Sequence, residues 1–408
     1  MKSKILIFLI LLNIGCSSKN DQKEKPANIQ AEQAFFTINI PELRKKQREV
    51  PISEIADTIE YIPLQTSPES LLGSIKDIQF TRDYIFIDQY KRPLAQFNRT
   101  GKFIRNVSQL GRGPEEYVVM RRFSINEEHR RIYILSNFIG RIQVYSFEGE
   151  YIQTFRFPQS YGEIVWNIDS SFMCFHEPQW GAENYVFEER NSEGEILQSV
   201  KNNFFWQNNS NMSYSSGYSL RNVYYRYNNR LYFKGYYNDT VYTFDTNNKI
   251  IPKFLMDLGT SQLPNELRTE VTGKIVSSPK YYWASAKESL KYIFIVYGSF
   301  AGTDGRINDF GLICYDKLKM DGSALRTKKG KMNFVNDLDG GPDFYPEYVN
   351  DSLAFCAISV LNLKNYFETD DSQNTTTKKQ ELKRMLKMKF QGLDESDNPI
   401  IMLVKLKF

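Results

Sequence analysis

Apolar residues in this chain come mostly in short bursts of about four, or alternate with polar ones, and turn-forming residues close each burst. The strongest bursts are Tyr84–Ile87, Ile132–Leu135, Phe172–Phe175, Leu231–Phe233, Tyr292–Ile295 and Leu353–Cys356, whose starts lie between 40 and 61 residues apart. Runs of this length, rich in β-branched and aromatic residues, predict strands; a helix would repeat its apolar positions every three or four residues. A four-stranded propeller blade takes about 40 to 50 residues, so six recurrences predict a six-bladed β-propeller with some enlarged loops.

The second repeat displays the unit most clearly. Arg122–Asn126, Arg131–Leu135, Arg141–Phe147 and Tyr151–Phe157 predict four strands, the last two joined through Glu148-Gly149-Glu150. A glycine there adopts positive φ at little cost, as a tight hairpin requires. Equivalent turns stand at Asn98–Lys102, Asn191–Glu195 and Asp245–Lys249. The sixth repeat is short of one strand. Gly341–Val349, Ser352–Val360 and Ile400–Phe408 supply three, and Ile59–Leu64, from the start of the domain, supplies the outer one. Such closure joins the chain ends and protects sheet edges. Within the same repeat, Leu382, Met385, Leu386 and Phe390 fall at helical spacing and predict an amphipathic helix over 380–391.

The first residues have a different character. Lys2 and Lys4 precede an apolar run, Ile5–Leu12, too short to cross a bilayer that needs about 20 residues. The run fits the hydrophobic region of a secretory signal. Leu12-Asn13-Ile14-Gly15-Cys16 resembles a lipobox, so residues 1–15 are read as a lipoprotein signal peptide and Cys16 as the acylated residue. Several acyl chains anchor a protein stably where one would not. Residues 16–50 then read as lipidated cysteine plus flexible tether, and 51–408 as the propeller. The expected location is the bacterial envelope, with the outer membrane favoured and the face unassigned.

Composition narrows the chemistry further. A net charge of +4 over 408 residues gives no nucleic-acid footprint. Two histidines, His129 and His176, exclude a three-imidazole metal site within one chain. Cys174, Cys314 and Cys356 each sit in an apolar strand-like run, the setting of a buried thiol rather than a nucleophile.

Four segments carry a resemblance. They are Ile59-Glu60-Tyr61-Ile62-Pro63-Leu64, Gly111-Arg112-Gly113-Pro114-Glu115-Glu116-Tyr117, Asn336-Asp337-Leu338-Asp339-Gly340-Gly341-Pro342 and Asp397-Asn398-Pro399. In this order, across residues 50–408, they resemble a family of bacterial six-bladed β-propeller lipoproteins with NHL-like repeats. The resemblance implies the fold and export. Glu115 departs from the glycine more usual in that family, and the family defines no biochemical role.

Candidate site residues come from the connections between blades. Arg112 suits a carboxylate or sulfate, and Glu115 and Glu116 suit a sugar hydroxyl or a proton, with Tyr117 beside them. Asn336, Asp337 and Asp339 offer oxygens to a calcium ion, the one cofactor considered, although their spacing is not that of a calcium helix–loop–helix. His176, in Phe175-His176-Glu177, is placed at the same channel mouth. These residues are expected to share one rim. Trp166, Tyr224, Tyr225, Tyr227, Tyr281, Tyr282 and Trp283 fall at inner-strand positions, either packing blades or facing the channel. No catalytic triad or sialidase-type repeat is present. The expectation is therefore a binding module for a glycan, a peptide or an envelope protein, held to the membrane by its lipid. The alternative is a propeller hydrolase or lyase with an acidic, calcium-assisted site.

Overall fold

The computed structural model describes residues 35–408 except 137–139, 158–162, 168–170, 177–183, 203–223, 236–237, 265–279, 300–308, 329 and 369–376. The expected signal peptide, residues 1–15, and Cys16 lie outside the described residues. The described chain begins with β1 (Phe36–Asn39), helix α1 (Ile40–Lys45), β2 (Gln47–Arg48) and, after a single 3-10 turn, β3 (Ala56–Pro63).

Six antiparallel sheets follow. Blade one contains β4 (Ile75–Phe80), β5 (Tyr84–Gln89), β6 (Ala95–Asn98) and β7 (Phe103–Asn106). Blade two contains β8 (Met120–Asn126), β9 (Arg131–Ser136), β10 (Arg141–Ser146) and β11 (Tyr151–Arg156). Blade three has β12 (Glu163–Trp166), β13 (Phe172–Phe175), β14 (Tyr185–Arg190) and β15 (Ile196–Lys201). In blade four stand β16 (Tyr224–Tyr227), β17 (Arg230–Phe233), β18 (Thr240–Phe244) and β19 (Ile250–Asp257). Blade five is β20 (Tyr282–Glu288), β21 (Tyr292–Ser299), β22 (Phe310–Asp316) and β23 (Asp321–Leu325). Blade six takes β24 (Tyr348–Val349), β25 (Leu353–Ile358) and β26 (Ile400–Leu406), and β3 completes it, pairing Met402 with Tyr61. The protein is a six-bladed β-propeller closed by its own N-terminal strand, as the repeat predicted.

The core is six wedges rather than one centre. Each apolar cluster bridges neighbouring blades: Phe86 and Phe123 join blades one and two, Phe187 and Phe233 join three and four, and Ile62 and Ile78 join six and one. A strand packed on both faces needs apolar residues at consecutive positions, which is why the second strand of each repeat reads as an unbroken run. The outer hairpins repeat as well. Gly101, Gly149, Gly194 and Asn248 have φ of 85°, 86°, 87° and 57°. Each donates its N–H to the carbonyl three residues back, at 3.0 to 3.1 Å. Only glycine and asparagine enter that region readily, so the turn residue is set by backbone geometry.

Three boundaries differ from expectation. The strand expected over Gly341–Val349 shortens to β24, because Phe344 pairs instead with Phe334. The tether does not extend to residue 50. β1 pairs in parallel with β19, and β2 with β23, so residues 36–48 add fifth strands to blades four and five. The physical cause is local: Ile38, Ile40 and Leu43 bury completely or nearly so, and the Asn39 side chain accepts from Glu42 N–H at 3.0 Å to start α1. The strand expected through Val360 stops at Ile358. Helix α2 (Val360–Glu368) begins there, burying Val360 and Leu363, and α3 (Thr377–Phe390) covers the predicted amphipathic segment. Phe390 stacks edge-on against Tyr61 at 5.8 Å, fixing α3 on blade six. No described helix is long and apolar enough to cross a membrane.

Candidate functional site

The two polar loops singled out from sequence lie at the outside of the ring. Residues 107–117 leave β7 and fill the wedge between blades one and two, against the third strand of blade two. Arg141 donates to the Pro114 carbonyl at 2.7 Å, Gln143 to Glu116 at 2.8 Å and the Tyr145 hydroxyl to Glu115 at 2.8 Å. Glu116 turns inward and accepts from Gly113 N–H at 2.8 Å. A Cβ on Gly111 would stand 1.8 Å from that carboxylate, so glycine permits the close approach. Tyr117 is buried and its hydroxyl accepts from Leu94 N–H at 2.9 Å. Arg112 and Glu115 stay exposed. Beside them is an open groove of about 530 Å³, lined in part by Ser108, Glu115, Tyr145 and Tyr151.

Asn336, Asp337 and Asp339 occupy the corresponding wedge between blades five and six. Asn336 is fully buried; its amide donates to Asp339 at 2.7 Å and its carbonyl accepts from Leu338 and Asp339 N–H. Asp337 accepts from Ser53 N–H at 3.0 Å and Ser53 Oγ at 2.6 Å. Asp339 accepts from Gly341 N–H at 2.9 Å and from the Tyr61 hydroxyl at 3.3 Å. These oxygens hold the loop. Among the described residues, no group of three or more His, Cys, Asp or Glu stands together as around a metal ion. His176 is elsewhere again, at the end of β13, with Nε2 3.3 Å from Glu188. The candidate residues therefore share no rim. These two loops, each leading from an outer strand toward the next inner strand, fold into a wedge instead of over the axis. The three thiols are free and buried, and burial pushes the Cys174 thiol up.

The axis is built by β4, β8, β12, β16, β20 and β24, the first strand of each blade. Their polar residues form one connected belt. Lys76 pairs with Asp88 at 3.0 Å and donates to the Met120 carbonyl, and Gln79 donates to Phe123, tying blade one to blade two. Arg122 reaches Glu163 at 3.2 Å, tying two to three. From blade four, Arg226 donates to the Trp166 carbonyl and lies 4.5 Å over that indole. The Tyr225 hydroxyl donates to Glu288 at 3.0 Å, linking four to five. Lys287 donates to the Glu347 carbonyl, linking five to six. At one mouth the first turns of the blades converge: Asp351 accepts from Asn228 N–H at 2.7 Å and, through its carbonyl, from Leu290 N–H at 2.8 Å.

Water reaches this belt but does not fully hydrate it. Asp77, Arg122, Tyr224, Lys287 and Tyr348 are half-buried and Glu347 is exposed, though all lie at or beside the innermost strands. Burial pushes the Asp77 carboxyl up, with Arg122 and Lys287 opposing. It raises Glu347 and, to about 6, Asp88, whose partner Lys76 opposes the shift. The Lys287 ammonium is pushed down to about 8 by burial, against the fields of Asp77 and Glu347. Burial also raises the phenols of Tyr224 and Tyr348. Perturbed groups gathered about the axis mark a candidate site where charge or protons can be handled.

Sequence reasoning missed Asp77, Lys287 and Glu347. A signal existed: the first strand of several repeats carries a charge inside an apolar run, as in Ile75-Lys76-Asp77-Ile78 and Ala284-Ser285-Ala286-Lys287, while the apolar burst of the second strand carries none. Of the inner-strand aromatics, Tyr224 belongs to the axial belt, whereas Trp166 and Tyr282 are buried.

A family model described as a domain of unknown function, DUF4934, matches residues 35–405. The chain belongs to that family. Among solved structures, a Bacteroides fragilis protein described as exported superposes with a TM-score of 0.68 at 18% identity, covering 92% of this chain and 100% of its own. A Bacteroides vulgatus member of the DUF4221 family superposes at 0.50 with 14% identity, covering 89% and 99%. Likeness at these identities speaks for the fold. No curated protein matches this DUF4934 chain.

Proposed function

We propose that this DUF4934 protein is an exported, lipid-anchored propeller that binds a glycan in its axial channel without turning it over. The observation that carries the reading is the belt itself: blades one, two, four, five and six each bring a partly exposed ionisable or phenolic side chain to the axis, and blade three adds the buried Glu163. Donors and acceptors of both kinds around a narrow opening suit a polyhydroxylated ligand, and phenols offer both a flat face and a hydroxyl. The wedge loops do not enter this reading because their polar atoms already hold the backbone. Export through residues 1–15, acylation at Cys16 and an outer-membrane location are read from the leader, and the exported description of the Bacteroides fragilis neighbour supports the first of these alone.

The test is a thermal-shift screen of the full-length chain in detergent against neutral and acidic oligosaccharides. A ligand at 100 times its Kd stabilises the native state by about 2.7 kcal/mol. Tyr348→Ala should abolish the shift, and Arg112→Ala should leave it intact. A panel with no shift, or one abolished equally by Arg112→Ala, overturns the reading. For the anchor, Cys16→Ser should release the protein from the membrane fraction.

A further inference from the structure

Lys287, like Lys234, has a backbone carbonyl as its acceptor, unlike the lysines that pair with carboxylates. Lys45, Lys46, Lys76, Lys317 and Lys407 each have a carboxylate partner within 3.0 Å. Lys287 is on the axis, its Nζ donates to a backbone carbonyl, and the Tyr348 ring lies 5.5 Å away. It makes no ion pair with a carboxylate among the described residues, although Asp77 and Glu347 act on it through space. A carbonyl acceptor leaves the nitrogen free to lose its proton, where a carboxylate would hold the ammonium form. Burial acts in the same direction, and a desolvated amine of this kind is what forms imines with carbonyl compounds. Both neighbouring carboxyls are shifted by burial toward their protonated forms.

We propose that Lys287 is a covalent docking site for an aldehyde, the open-chain end of a reducing sugar, which it captures as a reversible imine within the axial channel. The Nζ lone pair adds to the carbonyl carbon, giving a carbinolamine. The hydroxyl leaves as water with a proton from Asp77 or Glu347 as the C=N bond forms, and the proton lost from nitrogen restores that acid. Aldehyde and amine become imine and water, with no oxidant or reductant. The site rests on the reading that the channel admits a saccharide and narrows it to a reducing end.

The experiment treats the full-length chain with D-glyceraldehyde and cyanoborohydride at pH 7.5 and maps lysine adducts by peptide mass spectrometry. An amine with a pKa near 8 is about a quarter uncharged at that pH, against about one in a thousand for an ordinary lysine. Allowing for the weaker nucleophilicity of a weaker base, Lys287 should label roughly tenfold faster than the exposed Lys45 and Lys319, and the ratio should fall at about pH 9, where ordinary lysines also begin to lose their protons. Lys287→Met, and Lys287→Arg if the first folds poorly, should remove that adduct alone. Labelling no faster than at Lys45 and Lys319 overturns the proposal. The two readings fail separately: a Tyr348-dependent shift with non-reducing glycans and no preferential label removes the imine and keeps the binding site. A preferential label with no shift from any glycan does the reverse.

Discussion

The wedge loops and the axial belt draw on the same residue types and use them in opposite ways. In the wedges, Asn336, Asp337, Asp339 and Glu116 each meet backbone N–H groups at close range, and their oxygens hold a turn. On the axis, Asp77 accepts from Ile78 N–H and Lys287 donates to a carbonyl, but carboxyls and amines also act on one another while incompletely hydrated, and Asp77, Asp88, Glu347 and Lys287 shift toward their neutral forms. Polar residues saturated by backbone contribute to stability; those left facing each other carry a desolvation cost and retain chemistry. A polar motif is thus evidence of function only after its hydrogen bonds have been counted.

Four measurements would break or sharpen that contrast. The largest effect belongs to Asn336→Ala. It removes a fully buried side chain that satisfies two backbone donors, and should cost about 2–4 kcal/mol in urea unfolding while leaving axial binding unchanged. Tyr117→Phe comes next, at about 1–2 kcal/mol, because Leu94 N–H loses its acceptor inside the wedge. A loss of glycan affinity in either variant would merge the two regions functionally.

The third is a pH dependence. The folded pKa of Lys287, about 8, lies below its unfolded value, so between roughly pH 8 and 10.4 the unfolded chain binds more protons at this site. Stability contributed by this group therefore rises with pH across that window, and Lys287→Met should flatten the rise. An unchanged curve would mean that the axis is hydrated like ordinary surface. The smallest effect is expected from Glu115→Ala, within about 0.5 kcal/mol, since the side chain is exposed and only its backbone carbonyl is used.

The fold was legible because blades bury both faces of each strand, which writes continuous apolar runs and a fixed turn chemistry into every repeat. Asn98, Ser146, Asn191 and Asp245 each accept from backbone N–H groups across the same hairpin, so turn composition alone located it four times. The strap of residues 36–48 was hidden because its strands have four and two residues and their partners lie more than 200 positions away. The site was hidden for a related reason. Asp77, Lys287 and Glu347 become neighbours only when the ring closes, and nothing local distinguishes an axial carboxylate from one that caps a turn. Asn336 and Asp339 looked like ligands because a turn and a ligand set want the same oxygens.

The strap also sets an order of events during synthesis. β1, β2 and β3 are made first, yet they pair with residues 254–257, 324–325 and 400–406. A chain leaving the ribosome or crossing a membrane N-terminus first must therefore carry β1 without its partner until residue 257, β2 until residue 325 and β3 until nearly the whole polypeptide has appeared. Pairings so distant in sequence form slowly, and exposed edges invite aggregation meanwhile. Blade six, with β26 between β25 and β3, is the clasp: a nascent chain arrested at residue 399 would hold five blades and still be an open, protease-sensitive arc, and the last seven paired residues turn it into a ring.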